Sequence, residues 1–308
     1  MFPCPPVDRW RRFESVMKEC IRELGHELSE LDFDNSLPPD PPGMDFRIYA
    51  HKTRVEAPMA DLYHKEMHMK GLFTLDAQGW GADHSSSRTA PELEDIDARE
   101  AERFCEEIRG EFLRTGLSKH NQPAMKPVDS GLKPYVFVPL QLSTDDTIMN
   151  HSRLSVVEFI HLFADWAAAT GNRVVFKLHP GSPMPETETA VRERAREQYV
   201  ALVNGNVHSL IAESQGVAVI NSGTGFETLI HGKPVATFGA CDYQWATFRA
   251  APDDLDGMLR WMRSFAEADR LRGCRFIYHY YHRHAYPVLP EVSPATRDRL
   301  RGYLREVM

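Results

Sequence analysis

Residues 134–146 read PYVFVPLQLSTDD, an apolar run of strand length that gives way at once to polar residues. Short continuous apolar runs of this kind indicate strands that are buried on both faces of a sheet. Three more such runs follow at 173–178, 217–220 and 234–238, with segments of helical character between them. This alternation predicts an α/β fold with a parallel sheet and helices on both of its faces.

The segments between these strands are predicted as helices from the spacing of their apolar residues. The helix at 152–170 ends where Gly171 provides a stop signal. Ahead of the first strand, residues 91–115 have apolar side chains four or eight apart among many charges, which predicts an exposed amphipathic helix. The other predicted elements are helices at 186–203, 209–214 and 224–231 and short strands at 46–49 and 72–75.

Composition narrows the classes of function and the compartment. The chain has 36 basic and 44 acidic residues, a net charge of −8, and no long basic block, so no nucleic-acid partner is expected. The first twenty residues lack the apolar core of a secretion signal, and no apolar run is long enough to span a bilayer. A peripheral association is then the only membrane role left. Five scattered cysteines without a C-x-x-C pair argue against disulfides or a cysteine zinc site, and the chain is predicted to be cytoplasmic.

The first strand ends in Gln141 and continues through Leu-Ser-Thr to two adjacent acids, Asp145 and Asp146. Ligands of parallel α/β sheets bind at the carboxyl ends of the strands, which is where these residues fall. Two interpretations are open. The acids either cap the following helix and charge its first turn, or one of them is a nucleophile or general base.

The second strand ends in Lys177, Leu178, His179 and Pro180. Alternation along a strand places Lys177 and His179 on one face, and the proline terminates the ladder of hydrogen bonds. Two cationic or proton-donating groups at a strand end suit a phosphate. The alternative is that the His-Pro pair only terminates the strand.

The third strand ends in a glycine-containing turn with five candidate ligand-binding residues: Asn221, Ser222, Gly223, Thr224 and Glu227. Glycine allows a close backbone approach, and the N-terminus of the next helix offers amide donors and a positive dipole end. The turn therefore predicts a cradle for a phosphate or carboxylate. Its spacing matches neither a Walker loop nor a dinucleotide fingerprint. Glu227 either accepts hydrogen bonds from ribose hydroxyls or stabilises the helix N-terminus.

The fourth strand is followed by Tyr243, Gln244 and Trp245. Aromatic and amide groups at a strand end pack over a nucleobase or a sugar in one interpretation. In the other, the segment is a lid anchored in the core.

Taken in order, QLSTDD, KLHP, NSGTGFETLIHGKPVATFG and DYQ resemble the bacterial capsule-polysaccharide Kdo glycosyltransferases, which use a CMP-activated donor. The resemblance covers about residues 133–245. It implies a glycosyltransferase-B-like fold, in which two Rossmann-like domains with parallel sheets enclose the active site in the cleft between them. It also implies that Asp145, with Asp146 next to it, is the nucleophile of a retaining transfer.

The same resemblance assigns Lys177, His179, Ser222–Thr224 and Glu227 to the nucleotide-binding elements. The family's amino-terminal acidic motif has only a partial counterpart here, beginning at Asp76. The second catalytic carboxylate is expected to be Asp76 or Asp83. The D-x-D patterns at 32–34 and 254–256 do not follow strands, and neither a catalytic metal nor a cofactor is expected.

The implied domains are an amino-terminal acceptor-side domain over 1–130, a nucleotide-sugar-binding domain over 131–275, and helices over 276–308 that cross back to the first. The expected partners are a CMP-linked donor and a polysaccharide or glycolipid acceptor. Two other functions remain open. One is a CDP-polyol phosphotransferase of the teichoic-acid type, and the other is an inactive nucleotide-binding assembly subunit.

Overall fold

The computed structural model describes residues 8–30, 45–53, 56–57, 60–181 and 184–308. The D-x-D pattern at 32–34 lies outside the described residues. The strands are β1 Ile48–Ala50, β2 Leu62–Glu66, β3 Leu72–Asp76, β4 Tyr135–Pro139, β5 Arg173–Lys177, β6 Val200–Leu202, β7 Gly216–Val219, β8 Val235–Thr237, β9 Phe248–Arg249 and β10 Ala285–Pro287. The helices are α1 Arg9–Glu23, α2 Ala98–Thr115, α3 Asp146–His151, α4 Val156–Thr170, α5 Pro185–Arg194, α6 Val207–Glu213, α7 Gly223–Ile230, α8 Leu255–Ser264, α9 Glu267–Arg283 and α10 Pro294–Val307.

The chain divides into two compact units, residues 1–80 with 283–308 and residues 81–282. The sequence placed its boundaries at 130/131 and 275/276 instead. The main difference is α2, which packs on α7 of the second unit through its buried face. Because this helix is highly charged on its other side, its sequence is typical of a surface helix and does not show which sheet it covers.

The second unit contains the predicted parallel sheet. Its six strands run in the order β6-β5-β4-β7-β8-β9, and every neighbouring pair is parallel. This is the doubly wound 3-2-1-4-5-6 order of Rossmann-like folds. Phe137 and Val175 pair in register at its centre, and both are fully buried. Because the strands are covered on both faces, they have the continuous apolar sequence that predicted them.

Two local elements differ from the sequence prediction. The helix predicted over 186–203 is α5, which ends at Arg194, followed by the edge strand β6. Strand β6 is only three residues long, and the charges around it hide its apolar run. The helix predicted over 152–170 is α4, which begins after the capping box of Ser155 and Glu158, and the short α3 precedes it.

The first unit has a four-stranded sheet in the order β1-β2-β3-β10. Only β1 and β2 are parallel, and the other pairs are antiparallel. The expected second parallel sheet is therefore corrected to a mixed one. Helices α1 and α10 bury their apolar stripes on one face, where Phe13 stacks on Phe73 with ring centroids 4.6 Å apart. In the described part of the chain, no helix combines the length and apolar character needed to cross a membrane.

Candidate functional site

The strand order of the parallel sheet defines where a crevice opens. Strand β4 connects to β5 on one side of the sheet, whereas β7, its neighbour on the other side, connects onward to β8. The connections therefore diverge at the carboxyl ends of β4 and β7. In open α/β sheets ligands bind at this switch point. The residues that follow β4, β5 and β7 are those that the sequence singled out.

Gln141 and Asn221 bridge the switch point. Gln141 Nε2 donates to Asn221 Oδ1 at 3.0 Å, and the Asn221 amide N–H donates back to Gln141 Oε1 at 3.2 Å. Asn221 Nδ2 also donates to the carbonyl oxygen of Thr147 in α3 at 2.7 Å. Both side chains are buried. Their hydrogen bonds are made to other protein groups. The two side chains therefore hold β4, β7 and α3 in place and form the floor of the crevice.

Asp145 lies at the start of α3, beside this floor. It is the N-cap of the helix, and its Oδ1 accepts a hydrogen bond of 3.3 Å from the Thr147 amide. Asp146 is the first residue of the helix. The capping interpretation therefore describes the structure. The role of nucleophile stays a prediction for Asp145, since a cap engages only one lone pair of the carboxylate.

Lys177 is the last residue of β5, and its side chain is only 5% exposed. Burial lowers the pKa of this ammonium group. None of the described residues provides it with a hydrogen bond or an ion pair. A largely buried lysine whose ammonium has no protein partner favours an anion at this strand end, because the anion would supply the missing counter-charge.

His179 follows two residues later, and its protonation state can be assigned. Its Nδ1 accepts a hydrogen bond of 3.0 Å from the Gly181 amide, so Nδ1 carries no proton. Burial, together with the neighbouring His120, lowers the pKa of His179 to about 4. At neutral pH the ring is therefore uncharged with its proton on Nε2. It can donate a hydrogen bond to a ligand without adding charge.

The N-terminus of α7 uses some of its own donors. Ser222 is the N-cap and accepts a hydrogen bond of 3.2 Å from the Thr224 amide through Oγ, while its carbonyl oxygen accepts from the Gly225 amide at 2.9 Å. The expected cradle is thus narrower than the sequence suggested. Because Ser222 Oγ also donates to Thr224 Oγ1 at 3.3 Å, the groups that remain for a ligand are the Gly223 amide and the Thr224 hydroxyl.

Glu227 lies farther along α7 and is 2% exposed. Ser118 Oγ donates a hydrogen bond of 2.6 Å to its Oε1. Burial raises the pKa of Glu227 to about 7, although the Ser118 hydrogen bond and the charge of Lys119 act to lower it. This carboxyl group therefore changes its charge near neutral pH.

The segment after β8 is anchored rather than open. Tyr243 is fully buried and its hydroxyl donates to the carbonyl oxygen of Ser222. Gln244 and Trp245 donate to the backbone carbonyls of Ser87 and Ser86, at 2.8 and 3.1 Å. A Cβ atom at Gly225 would lie 2.5 Å from the Tyr243 hydroxyl, which explains the glycine at this position. The segment fixes the turn before α7.

The two candidates for a second carboxylate lie in different units. Asp76 ends β3 in the first unit, is 7% exposed, and accepts a hydrogen bond of 2.8 Å from the Gln78 amide. Asp83 belongs to the second unit and pairs with His151 at the end of α3, with 3.0 Å between Oδ2 and Nε2. Asp83 is thus on the same unit as Asp145, and Asp76 is not.

Sequence reasoning missed the residues Ser118, Lys119 and His120. They fall within residues 116–133, which the sequence indicated as a domain boundary because Gly, Asn, Pro and Lys cluster there. In the structure Ser118 contacts Glu227, and the ring of His120 meets that of His179 edge-on with centroids 4.6 Å apart. No periodicity marks such a loop, and only its Ser-Lys-His-Asn composition distinguishes it from a plain linker.

Among the residues that the structure describes, no three His, Cys, Asp or Glu side chains gather in a way that could hold a metal ion. Asp254, in the second D-x-D pattern, is the N-cap of α8 and accepts from the Gly257 amide at 2.9 Å. The expectation of metal-free chemistry stays a prediction.

The parallel sheet and its polar strand ends place the second unit in the doubly wound α/β class. Residues 105–280 match the family model described as capsule polysaccharide biosynthesis protein, so the chain belongs to that family. The match spans most of the second unit, where the site lies. It confirms the family resemblance drawn from the motifs at the level of capsule polysaccharide biosynthesis.

Among solved structures, the chain is similar to two from Thermosulfurimonas dismutans, the KpsC beta Kdo 2,7 transferase and the KpsC beta Kdo 2,4 transferase. The first is 16% identical, with a TM-score of 0.49 over 83% of this chain and 84% of that one. The second is 15% identical, with a TM-score of 0.49 over 86% and 90%. A comparison with curated protein sequences finds no match.

Proposed function

We propose that this protein is a glycosyltransferase that moves Kdo or a related acidic sugar from a CMP donor to a cell-surface polysaccharide or glycolipid. Membership of the capsule polysaccharide biosynthesis family supports a glycan product. The ordered strand-end motifs support the CMP-linked donor. A cytoplasmic location with peripheral membrane association remains part of the same proposal, since a glycolipid acceptor lies at a membrane surface.

The observation that carries the proposal is the largely buried side chain of Lys177, without a hydrogen-bond or ion-pair partner among the described residues, at the carboxyl end of β5. The switch-point crevice lies at the adjacent strand β4, with the neutral donor His179 just beyond β5. A nucleotide phosphate placed there would receive one charged and one neutral donor. Both interactions strengthen as charge builds on the departing phosphate, which is the requirement for stabilising a transition state.

In the proposed reaction the Asp145 carboxylate attacks the anomeric carbon, and the bond from that carbon to the phosphate oxygen breaks. The electron pair leaves with CMP, and the sugar becomes an ester of Asp145. An acceptor hydroxyl then attacks the same carbon, gives its proton to a second carboxylate, and releases Asp145. Two displacements retain the anomeric configuration. Asp76 and Asp83 are the candidates for the second carboxylate.

Glu227 has the chemistry to recognise the ribose. In its charged form it accepts hydrogen bonds, and Ser118 already occupies one of its oxygens. Because burial holds its pKa at about 7, the charged form becomes dominant only above neutral pH. Donor binding should accordingly strengthen as the pH rises through 7.

The proposal is tested by incubating the protein with a panel of CMP-sugars and CDP-polyols and following nucleotide release and the intact protein mass. The expected result is CMP release from CMP-Kdo and, without acceptor, a protein adduct of one sugar that is absent from Asp145→Asn. Transfer of a polyol phosphate from a CDP-polyol would instead establish the teichoic-acid type of reaction. Nucleotide binding without any turnover would indicate an assembly subunit.

A further inference from the structure

A single side chain forms hydrogen bonds to both ends of the loop that follows α2. Asn206 Nδ2 donates to the carbonyl oxygens of Gly116 and Pro123, each at 2.9 Å, and Asn206 is buried. His208 Nε2 also contacts the carbonyl oxygen of Leu117 at 2.8 Å. A loop whose ends are held together in this way has a defined tip. We call residues 118–121, Ser-Lys-His-Asn, the loop tip.

The loop tip crosses the end of the parallel sheet. Ser118 donates to Glu227, which lies on α7 after β7, and His120 packs on His179, which lies after β5. Strand β4 lies between β5 and β7 in the sheet. Ser118 and His120 therefore contact residues on either side of β4, and Lys119 lies between them in the chain. Asp145, the proposed nucleophile, follows that strand.

The charge of Lys119 acts on both sides of this crossing. It lowers the pKa of Glu227 on one side and the pKa of His179 on the other. Lys177 at the end of β5 is the second cation beside this crossing, because His179 is neutral at pH 7. The crevice is therefore bordered by one lysine from the sheet and one from the loop tip.

From these contacts we infer that the loop tip is a wall of the donor site, in which Lys119 binds the anionic phosphate of the nucleotide and Ser118 positions Glu227. This inference rests on the proposed function. It assigns two lysines to the donor phosphate, which suits a leaving group that gains negative charge. It also explains why a loop between two elements is tied so firmly to α6 and α7.

Calorimetric titration of CMP tests the role of Lys119, with Lys126→Gln as the matched control. Lys126 lies farther along the same connecting segment and is exposed. We expect Lys119→Gln to weaken CMP binding by about tenfold, the usual size of one charge-assisted hydrogen bond, with an unchanged melting temperature. Lys119→Arg should restore most of the affinity, and Lys126→Gln should match the wild type.

Equal CMP affinity in the wild type and Lys119→Gln would overturn the inference and leave the proposed function standing. A wild type that binds no CMP would overturn both. If Lys119→Gln lowers the melting temperature, the CMP affinity of Lys119→Arg becomes the test. A stable Lys119→Arg variant that has lost CMP affinity would contradict a phosphate contact by Lys119.

The role of Ser118 is tested through the pH dependence of CMP affinity. The Ser118 hydrogen bond lowers the pKa of Glu227, so its removal in Ser118→Ala should raise that pKa further above its ordinary value. The rise in CMP affinity with pH should then move to higher pH than in the wild type, and Ser118→Thr should move it back. The phosphate of CMP titrates equally in all three proteins, so it cancels in the comparison. An unmoved profile in Ser118→Ala would contradict the positioning role.

Discussion

The two sheets of this molecule use polar residues in opposite ways. In the parallel sheet, β4 and β7 contain no charged side chain, and the polar residues Gln141 and Asn221 come after the strands end. In the mixed sheet, the polar residues His64, Lys65 and Glu66 lie inside β2 and are buried. Polar groups beyond a strand end are available to a ligand, whereas polar groups inside a strand must be satisfied by the protein.

The enclosed charges of β2 have partners within the first unit. The Lys65 ammonium lies 3.3 Å from the ring centroid of Trp80, a cation–π contact, and Glu66 pairs with Arg9 and accepts from the Gly71 amide at 2.6 Å. His64 differs from them. Its Nδ1 is buried without a hydrogen-bond partner among the described residues. Thr74 in β3 likewise has a buried hydroxyl without a partner among the described residues. The mixed sheet thus encloses polar atoms at a cost, whereas β4 and β7 of the parallel sheet contain no charged side chain.

The largest expected effect concerns the strand end of β4. We expect Asp145→Asn to lower turnover by on the order of a thousandfold or more while leaving the fold intact, because asparagine caps helices nearly as well as aspartate but cannot form the sugar ester. Steady-state CMP release and thermal melting measure the two effects. Asp146→Asn is the matched control.

If Asp146→Asn is inactive and Asp145→Asn is not, the nucleophile is the neighbouring residue. If both variants retain turnover, the two-displacement mechanism is wrong and the polar end of β4 is structural, as the polar residues of β2 are.

The next effect concerns the enclosed histidine of the mixed sheet. Burial lowers the pKa of His64 to about 4, below its ordinary value of 6.5, so its contribution to stability is present above pH 6.5 and is lost as the pH falls towards 4. That loss amounts to about 3 kcal/mol. We expect His64→Met to remove it, so that the variant is relatively more stable at pH 4 than the wild type.

Urea unfolding at pH 7.5 and pH 4 measures this difference. Other buried histidines destabilise both proteins in acid, and they cancel in the comparison. His161→Met is the control, because His161 is a half-buried residue of α4 in the other unit. Its loss of stability between pH 7.5 and pH 4 should equal that of the wild type. An identical acid loss in His64→Met would show that His64 is not desolvated.

The smallest expected effect is that of replacing Lys177, which should change CMP affinity and the free energy of unfolding in opposite directions. We expect Lys177→Met to bind CMP about tenfold more weakly and to be more stable by about 1 kcal/mol, since the largely buried side chain of an unpaired lysine is replaced by an apolar one. Calorimetry and urea unfolding give the two values. A variant that is destabilised and binds CMP normally would mean that Lys177 is part of the packing, and the contrast between the sheets would disappear.

The contrast also explains what could be predicted from the sequence. The strands of the parallel sheet are covered on both faces, so their apolar runs predicted β4, β5, β7 and β8. Strand β2, with sequence Leu-Tyr-His-Lys-Glu, has no such run. Its charged residues can be buried because partners distant in sequence, such as Arg9, neutralise them. Short edge strands such as β6 lack enough residues to show a pattern.

The candidate site divides in the same way. Residues at or just beyond strand ends, such as Lys177 and Asn221, were found because a strand end has a fixed place in the fold. That Gln141 and Asn221 would bond to each other could not be predicted, since it depends on the order of strands in space. The loop tip was missed because its position is set by the long-range contacts of Asn206 and Glu227.

The central claim is that the strand ends of the parallel sheet form a nucleotide site. Calorimetric titration of CMP into the wild-type protein in the presence of EDTA tests it most directly, because it needs neither an acceptor nor knowledge of the sugar. The account predicts saturable binding of one CMP per chain that is unchanged by the chelator. Absence of binding, or binding that appears only when a divalent cation is supplied, would contradict it.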